Sequence, residues 1–446
     1  MLNLCFGFFI SAFVVASSAF AGDVAQFRGS AGNGVVPPQD IATSWSEDSN
    51  VVWKVKNPGA GWSQPVVWKD RLYVSGAVSE IDLRPANFAD GLKSPQSMGV
   101  TLFAKPPDVE VEWKLFCLSL HDGQLLWDRT LSTGKPKLPI HPSNSWATET
   151  PVADERGVYV FFGATGTLTS VAHDGTVGWS KELGVFKTSS NFGTGSSLAI
   201  HEGLVFCQQL TEESARVTAF ECSTGSEKWN HSRSKNLTSW SSPLVWRNAG
   251  RVELIISGGQ QIESLDPTTG QQFWTLSNVK AATACTPCAD RDQLYFGGSD
   301  PFSKGPLFAV RSGASGDISP EKENASFERC AWLQERQGPG MASPVSSGKF
   351  VYTTDSNILK CFSAASGERL YQTRLPSMEL VAASPILVGE LLLLVDENGK
   401  SCVVRTGPEF EVIGEGSLAD TFWATPAVTD GNIILRGLDS IYCIRK

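Results

Sequence analysis

TPVADERGVYVFFGATGTLTSVAHDGTVGW, residues 150–179, holds one complete copy of a pattern that recurs through the chain. Thr150 precedes Pro151, and a short apolar run stops at the polar turn around Glu155 and Arg156. A second apolar strand, GVYVFFG, follows, and then a third that ends at Asp174-Gly175. Trp179 comes four residues after that glycine. Polar or glycine turns between β-branched and aromatic runs are hairpin signals.

Working outward, the same proline anchor falls at Pro65, Pro243, Pro287, Pro344, Pro385 and Pro426, preceded by a small residue everywhere but at Pro65, where Gln64 stands. An eighth copy, SSLAIHEGLVF, has Leu198 in the proline position. From Pro65 the spacings are 86, 47, 45, 44, 57, 41 and 41 residues. A period in the forties is the mark of a β-propeller, one small sheet per repeat. The sequence therefore predicts an all-β fold, an eight-bladed propeller of four-stranded antiparallel blades. The glycine turn recurs at Gly123, Gly225, Gly270 and Gly367, each followed four residues on by Trp127, Trp229, Trp274 or Tyr371. Glycine suits a turn that needs positive φ. The aromatic is expected to pack against the next blade.

The last repeat stops at Lys446 without its aromatic strand, whereas NVVWKVKN around Trp53 has that character and no blade of its own. The amino-terminal strand should complete the last sheet and remove an exposed edge. The expected blades are 65–130, 151–182, 198–232, 243–277, 287–335, 344–375, 385–415, and 426–446 with 50–57. Two are interrupted: blade 1 by residues 79–112, a candidate recognition loop, and blade 5 by 312–327, whose composition reads as solvated.

Residues 1–21 read as a secretory signal. LCFGFFISAFVV is apolar, and Ala19-Phe20-Ala21 has the small-x-small form of a cleavage site, although no Lys or Arg precedes the apolar core. The run is short for a membrane span, and no other segment is long and apolar enough. Residues 22–446 are then one propeller domain, exported to the periplasm or outside the cell, and read as a monomer. The net charge of -9 is spread along the chain with no basic block. That disfavours nucleic acid and anionic membrane as partners, since both need clustered Lys and Arg.

Ten cysteines occur, nine of them after residue 21. Cys285 and Cys288 have redox-pair spacing, but they occupy the blade 5 anchor and read as buried thiols. Cys117, Cys361, Cys402 and Cys443 fall at one third-strand position, a slot for a small apolar residue. Cys207 and Cys222 are the best candidates for a disulfide.

The residues just before each innermost strand should ring the channel mouth: Trp62, Trp146, Asn191, Phe192, Trp240, Met341 and Trp423, with His141, Asn144, Glu149, Lys280, Glu379 and Asp420 nearby. Two readings of this ring stand, a site for a flat or sugar-like ligand or a plug of bulky side chains. Neither a G-x-S-x-G nucleophile motif nor an H-E-x-x-H zinc motif is present. No catalytic or metal-ligating residue is assigned.

The combination of S/T-P-V, D-R-L-Y-V and T-G-x-x-x-W resembles the pyrroloquinoline-quinone-like (PQQ-like) propeller repeat family. The stretches FRGSAGNGV, GWSQPVVWKDRLYV and HPSNSWATETPVAD resemble its exported planctomycete-type members. The resemblance implies either of two functions. One is a non-enzymatic binding or protein-interaction scaffold at the cell envelope, like the propeller lipoprotein of outer-membrane barrel assembly, with a protein or glycan partner and no cofactor. The alternative is a quinoprotein dehydrogenase that uses PQQ and calcium to oxidise alcohols or sugars. Many alcohol-oxidising members carry two adjacent cysteines, and this chain has none. The scaffold is the expected function.

Overall fold

The computed structural model describes residues 22–87, 105–234, 237–279, 284–300 and 303–446. Residues 1–21, read above as a secretory signal, the middle of the blade 1 insert and Lys280 lie outside the described residues. Eight sheets form, each built on four strands in the expected antiparallel order, and two of them gain a fifth strand in parallel. Blade 1 is Val66–Trp68, Arg71–Ser79, Val111–Ser119 and Leu125–Gly134. Blade 8 is Ala427–Thr429, Asn432–Arg436 and Ser440–Ile444, with Val51–Lys56 as its outer strand. That strand pairs antiparallel with the last, Lys54 opposite Tyr442, so the amino end closes the ring as expected.

The anchors owe their small residue to its hydroxyl. The N–H of Gln64 donates to Thr150 Oγ1 at 3.0 Å, that of Thr150 to Ser197 Oγ at 3.0 Å, and that of Ser197 to Ser242 Oγ at 2.9 Å. The series continues through Thr286, Ser343, Ser384 and Thr425 at 2.9–3.1 Å. Gln64 Nε2 completes the circle by donating to Pro426 O at 3.3 Å. Blades 2 to 8 thus each satisfy a buried N–H of the blade before with a hydroxyl, which a small apolar residue could not do, and only at the closure does Gln64 of blade 1 donate instead.

The turn glycines have a second role besides positive φ. Trp127, Trp179, Trp229 and Trp332 each lie on the glycine turn of the following blade and donate Nε1 to a carbonyl there at 2.8–3.1 Å. A Cβ on Gly225 would fall 2.4 Å from the Trp179 ring, and one on Gly367 would fall 2.5 Å from Trp332. Trp53 repeats the arrangement across the closure, with Nε1 to Leu120 O at 3.1 Å and its ring on Gly123.

Trp274 departs from the expectation. Its Nε1 donates to Glu253 within its own blade at 2.7 Å. Blade 5 has an insert in place of the glycine turn, and Gly316–Asp317 of that insert pairs in parallel with the Trp274 strand. The insert read as solvated therefore adds a fifth strand to blade 4 and buries Ala314 and Ile318. Tyr371 meets Phe410 of blade 7 edge-on instead of a glycine.

All nine cysteines among the described residues are free and buried. Cys117, Cys361 and Cys443 share the expected slot, opposite Trp127, Tyr371 and Trp53. Cys402 does not: it sits one residue out of phase with the strand bulge and packs towards blade 6. The Cys207–Cys222 disulfide is not formed. Cys222 lies opposite Gly203, four residues along the strand from Cys207. That is about 13 Å at ~3.4 Å per residue, well beyond the ~7 Å that a disulfide spans.

Residues 22–42 cross the channel floor, the face that carries the turns between first and second strands. Val24 pairs with Val67 of blade 1, Ala25 O accepts from Ala153 of blade 2, and Gln26 Oε1 accepts from Ile200 of blade 3. Val35–Val36 then adds in parallel to blade 7. Arg28, fully buried, rises between them and donates to Asn33 O, Pro287 O and Pro344 O. Burial pushes its guanidinium down to about 10, so it remains cationic at neutral pH. Carbonyl oxygens are the hydrogen-bond acceptors for that charge.

Candidate functional site

The opposite face carries the links between blades. Two residues before Gln64 and before each of the seven hydroxyls of the girdle the chain passes the channel mouth, and these positions hold Trp62, Thr148, Gly195, Trp240, Ala284, Met341, Ala382 and Trp423. Trp62 and Trp423 stack across the seam between blades 1 and 8, with centroids 5.9 Å apart. Their Nε1 atoms donate to Ser143 O at 3.0 Å and to Glu397 Oε1 at 2.7 Å. Trp240, half-buried, lies against Gly195 and donates Nε1 to Gly193 O at 2.6 Å. Phe192 meets Trp240 edge-on and stacks on His141 with centroids 4.7 Å apart.

The other expected site residues fall in three places. Asn144 fastens two links: its Nδ2 donates to Phe192 O and Thr194 O, and its Oδ1 accepts from Ser145 N and Thr148 Oγ1. Asn191 sits in the short turn Ser189–Asn191, with φ of 52°. Met341 is exposed at the mouth. Trp146 is not in the ring; its side chain is in the core between blades 1 and 2, and its carbonyl accepts from Trp113 Nε1. Asp420 is turned away from the channel. Its carboxylate accepts from the N–H groups of Thr421, Asp439 and Ser440 and caps a turn of blade 8.

Glu149 is buried between blades 2 and 3, where its Oε1 accepts from Gly163 N at 3.3 Å. Burial pushes its carboxyl above the ordinary range, against the hydrogen bonds it accepts. The cavity beside it, about 20 Å³, is lined by Thr194, Gln208 and Trp240 among others. That is room for about one water. Gln208 Oε1 is buried there with no protein partner. Arg436 is buried at the seam of blades 8 and 1, where it donates to Ser63 Oγ at 2.6 Å and Gly59 O at 3.0 Å. Burial pushes it down to about 9.

Several residues that shape the site were not read from the sequence. Glu397 anchors Trp423, and the buried cations Arg28 and Arg436 carry no local motif. The hydroxyl of each S/T-P anchor was visible but was read only as small size.

This donor set does not fit calcium with a quinone. Calcium takes six to eight oxygen ligands, usually with several carboxylates. Glu149 has space for about one water beside it, and Glu397, another buried carboxylate near the mouth, accepts from Trp423 Nε1. Among the described residues no group of three or more His, Cys, Asp or Glu converges as a metal site.

Eight radial four-stranded blades with S/T-P anchors and tryptophans docked on glycine turns define a PQQ-like propeller. The chain belongs to that family: it matches the group described as outer membrane protein assembly factor BamB over residues 113–284 and 258–407. No curated protein matches the sequence. Among solved structures it is similar to BamB from Moraxella catarrhalis, with a TM-score of 0.58 and 13% identity over 89% of this chain and 97% of that one. It is also similar to the quinohemoprotein alcohol dehydrogenase of Comamonas testosteroni, with a TM-score of 0.63 and 11% identity over 96% of this chain and 81% of that one. At these identities the likeness is one of fold. Among the described residues no helix is long and apolar enough to cross a membrane.

Proposed function

We propose that the chain is an exported, non-enzymatic propeller that docks a protein partner of the cell envelope on its mouth face. The observation that carries this reading is the apolar rim of that face. Phe192, Leu237 and Met341 are 40%, 37% and 36% exposed on the links between blades, beside the half-buried Trp240. Aromatic residues and methionine are enriched where proteins meet. The cavity between blades 2 and 3 beside Glu149 has room for about one water, so the exposed apolar side chains of the face itself, and not that cavity, are what a partner would meet. The described part of the blade 1 insert extends the same face. Ala86 N donates to Pro142 O at 2.8 Å, and Arg84 pairs with Asp439 of blade 8 at 2.7 Å. The match to the BamB family supports a scaffold role, and an envelope location follows from the export signal read in residues 1–21.

The test has two arms. A photo-crosslinker placed at Phe192 or Met341 should capture envelope protein, whereas one at Glu202 on the floor face should not. Purified protein titrated with PQQ and calcium should show no change in cofactor absorbance and no dye reduction with alcohols or aldoses. Turnover that Glu149→Gln abolishes would replace this reading with the quinoprotein dehydrogenase.

A further inference from the structure

The first described residues are bound one by one at the seam where the ring closes. Gly22 O accepts from Thr429 Oγ1 of blade 8. Asp23 Oδ1 accepts from Lys69 N at 2.8 Å, and Val24 pairs with Val67 of blade 1 through bonds of 2.9 and 3.0 Å. Gly22 lies directly against the Asp430 carboxylate: a Cβ there would fall 2.5 Å from Oδ2 and 2.7 Å from Oδ1. The α-nitrogen, about 2.5 Å from any Cβ on the same Cα, is therefore at most about 5 Å from Oδ2. Asp430 is exposed, and among the described residues its carboxylate has no hydrogen-bond or ion-pair partner. It is held at a φ of 46°, in the left-handed region, by its place in a tight turn with Gly431.

An ordinary Gly22 amide explains little of this. A carboxylate set against one backbone nitrogen, at a glycine that admits no side chain, suits a cation. The glycine directly follows Ala19-Phe20-Ala21, the small-x-small pattern of a processing site.

We propose that the chain is cleaved between Ala21 and Gly22 and that Asp430 is the acceptor for the new amino terminus. Water adds across the peptide bond, leaving Ala21 with a carboxylate and Gly22 with an ammonium group. An envelope peptidase that reads small residues catalyses the step. The ammonium then pairs with Asp430 and fixes the start of the floor segment between blades 8 and 1. Removal of the export segment and closure of the ring meet at one ion pair. The other charged groups around this seam are Asp23, Lys69, Asp70 and Arg445, with His121 beside them; the last four line an open hollow of about 310 Å³ with Asp430. Gly22 itself is half-buried, so its amine is within reach of small reagents.

The inference rests on the export reading, and the experiment separates the two. Full-length protein is produced in an exporting bacterial host, and the purified product is examined by intact mass and amino-terminal sequencing. The expected product begins at Gly22, and a product beginning anywhere else overturns the proposal. The α-amine is then acylated at pH 7 in wild type and in Asp430→Asn, a change that tolerates the left-handed turn. Loss of the paired carboxylate should speed acylation about threefold, the effect of half a pKa unit. A chain retained in the cell with residues 1–21 attached refutes export and pairing together. Exported chains beginning at Gly22 with equal amine reactivity in the two proteins refute the pairing alone.

Discussion

Trp53→Ala tests whether the amino-terminal strand holds the ring shut. Trp53 is 9% exposed, its ring covers Gly123 of blade 1, and its Nε1 donates to Leu120 O. Truncation removes the apolar contacts and leaves a cavity, which for a buried tryptophan costs about 3–5 kcal/mol. Leu120 O is at a turn and regains water, so the lost hydrogen bond adds about 1 kcal/mol at most. Unfolding entropy of roughly 2.1 cal/mol/K per residue over about 425 residues makes ~1 kcal/mol equal to about 1 °C. The transition should therefore fall by about 3–7 °C in a thermal melt followed by near-ultraviolet circular dichroism. Trp179→Ala breaks the same contacts between blades 2 and 3, where the chain is continuous, and should cost a similar amount. Only at the seam does the loss free a chain end, so limited proteolysis of Trp53→Ala should cut first within residues 22–57. Deleting 22–57 removes this strand and the floor segment with it, whereas deleting 79–112 removes a loop and the paired ends of two blade 1 strands. Equal melting temperatures for the two deletions, or a Trp53→Ala protein that melts within 1 °C of wild type, would refute the closure argument.

Ser242→Ala should destabilise by about 1–3 kcal/mol, because it orphans the buried Ser197 N–H, while Ser242→Thr should recover most of that loss in urea unfolding. Trp274→Ala should cost about 3–5 kcal/mol, whereas Trp240→Ala, at a half-buried mouth position, should leave the melt nearly unchanged and weaken partner capture; comparable losses from both would mean that the mouth is a structural plug. Glu149 has a folded pKa raised by burial, so its contribution to stability is fully present below its unfolded value and is lost as pH rises through the folded one. Glu149→Gln should therefore gain stability relative to wild type at pH 8 and much less at pH 4.5, as read by urea midpoints at the two pH values.

The fold was legible because a propeller repeats its instructions. Any one of Pro151, Gly175 or Trp179 is weak, but eight copies at a near-constant period fix sheet number, strand order and closure together. What escaped was what differs between copies. Cys402 was aligned by counting from the anchor, and a bulge shifted by one residue turned it to the other face. The 312–327 insert has the composition of a solvated loop, yet Gly316 and Asp317 pair with blade 4 through their backbones, which composition does not report. The floor segment was invisible for a related reason: residues 22–42 have no strand periodicity, because each residue meets a different blade.

The mouth was legible in place more than in arrangement. Counting back from each proline puts Trp62, Trp240, Met341 and Trp423 at one equivalent position of their links, since an inner strand leaves the chain little freedom of register. It could not tell that Trp146, two residues further from its anchor than the others, would turn into the core, or that Asp420 would be drawn off to cap a turn of the next hairpin. Those outcomes depend on partners such as Trp113, Asp439 and Ser440, distant in sequence and tied to no repeat. The same limit bears on function. The repeat conserves a girdle of hydroxyls and a collar of tryptophans that any propeller of this kind needs, so the repeated residues speak for stability. What could distinguish one partner from another lies in the unrepeated side chains of the rim, Phe192, Leu237 and Met341, and in the insert of blade 1. A change in these positions should alter what binds without altering whether the ring folds, whereas a change in the girdle should do the reverse.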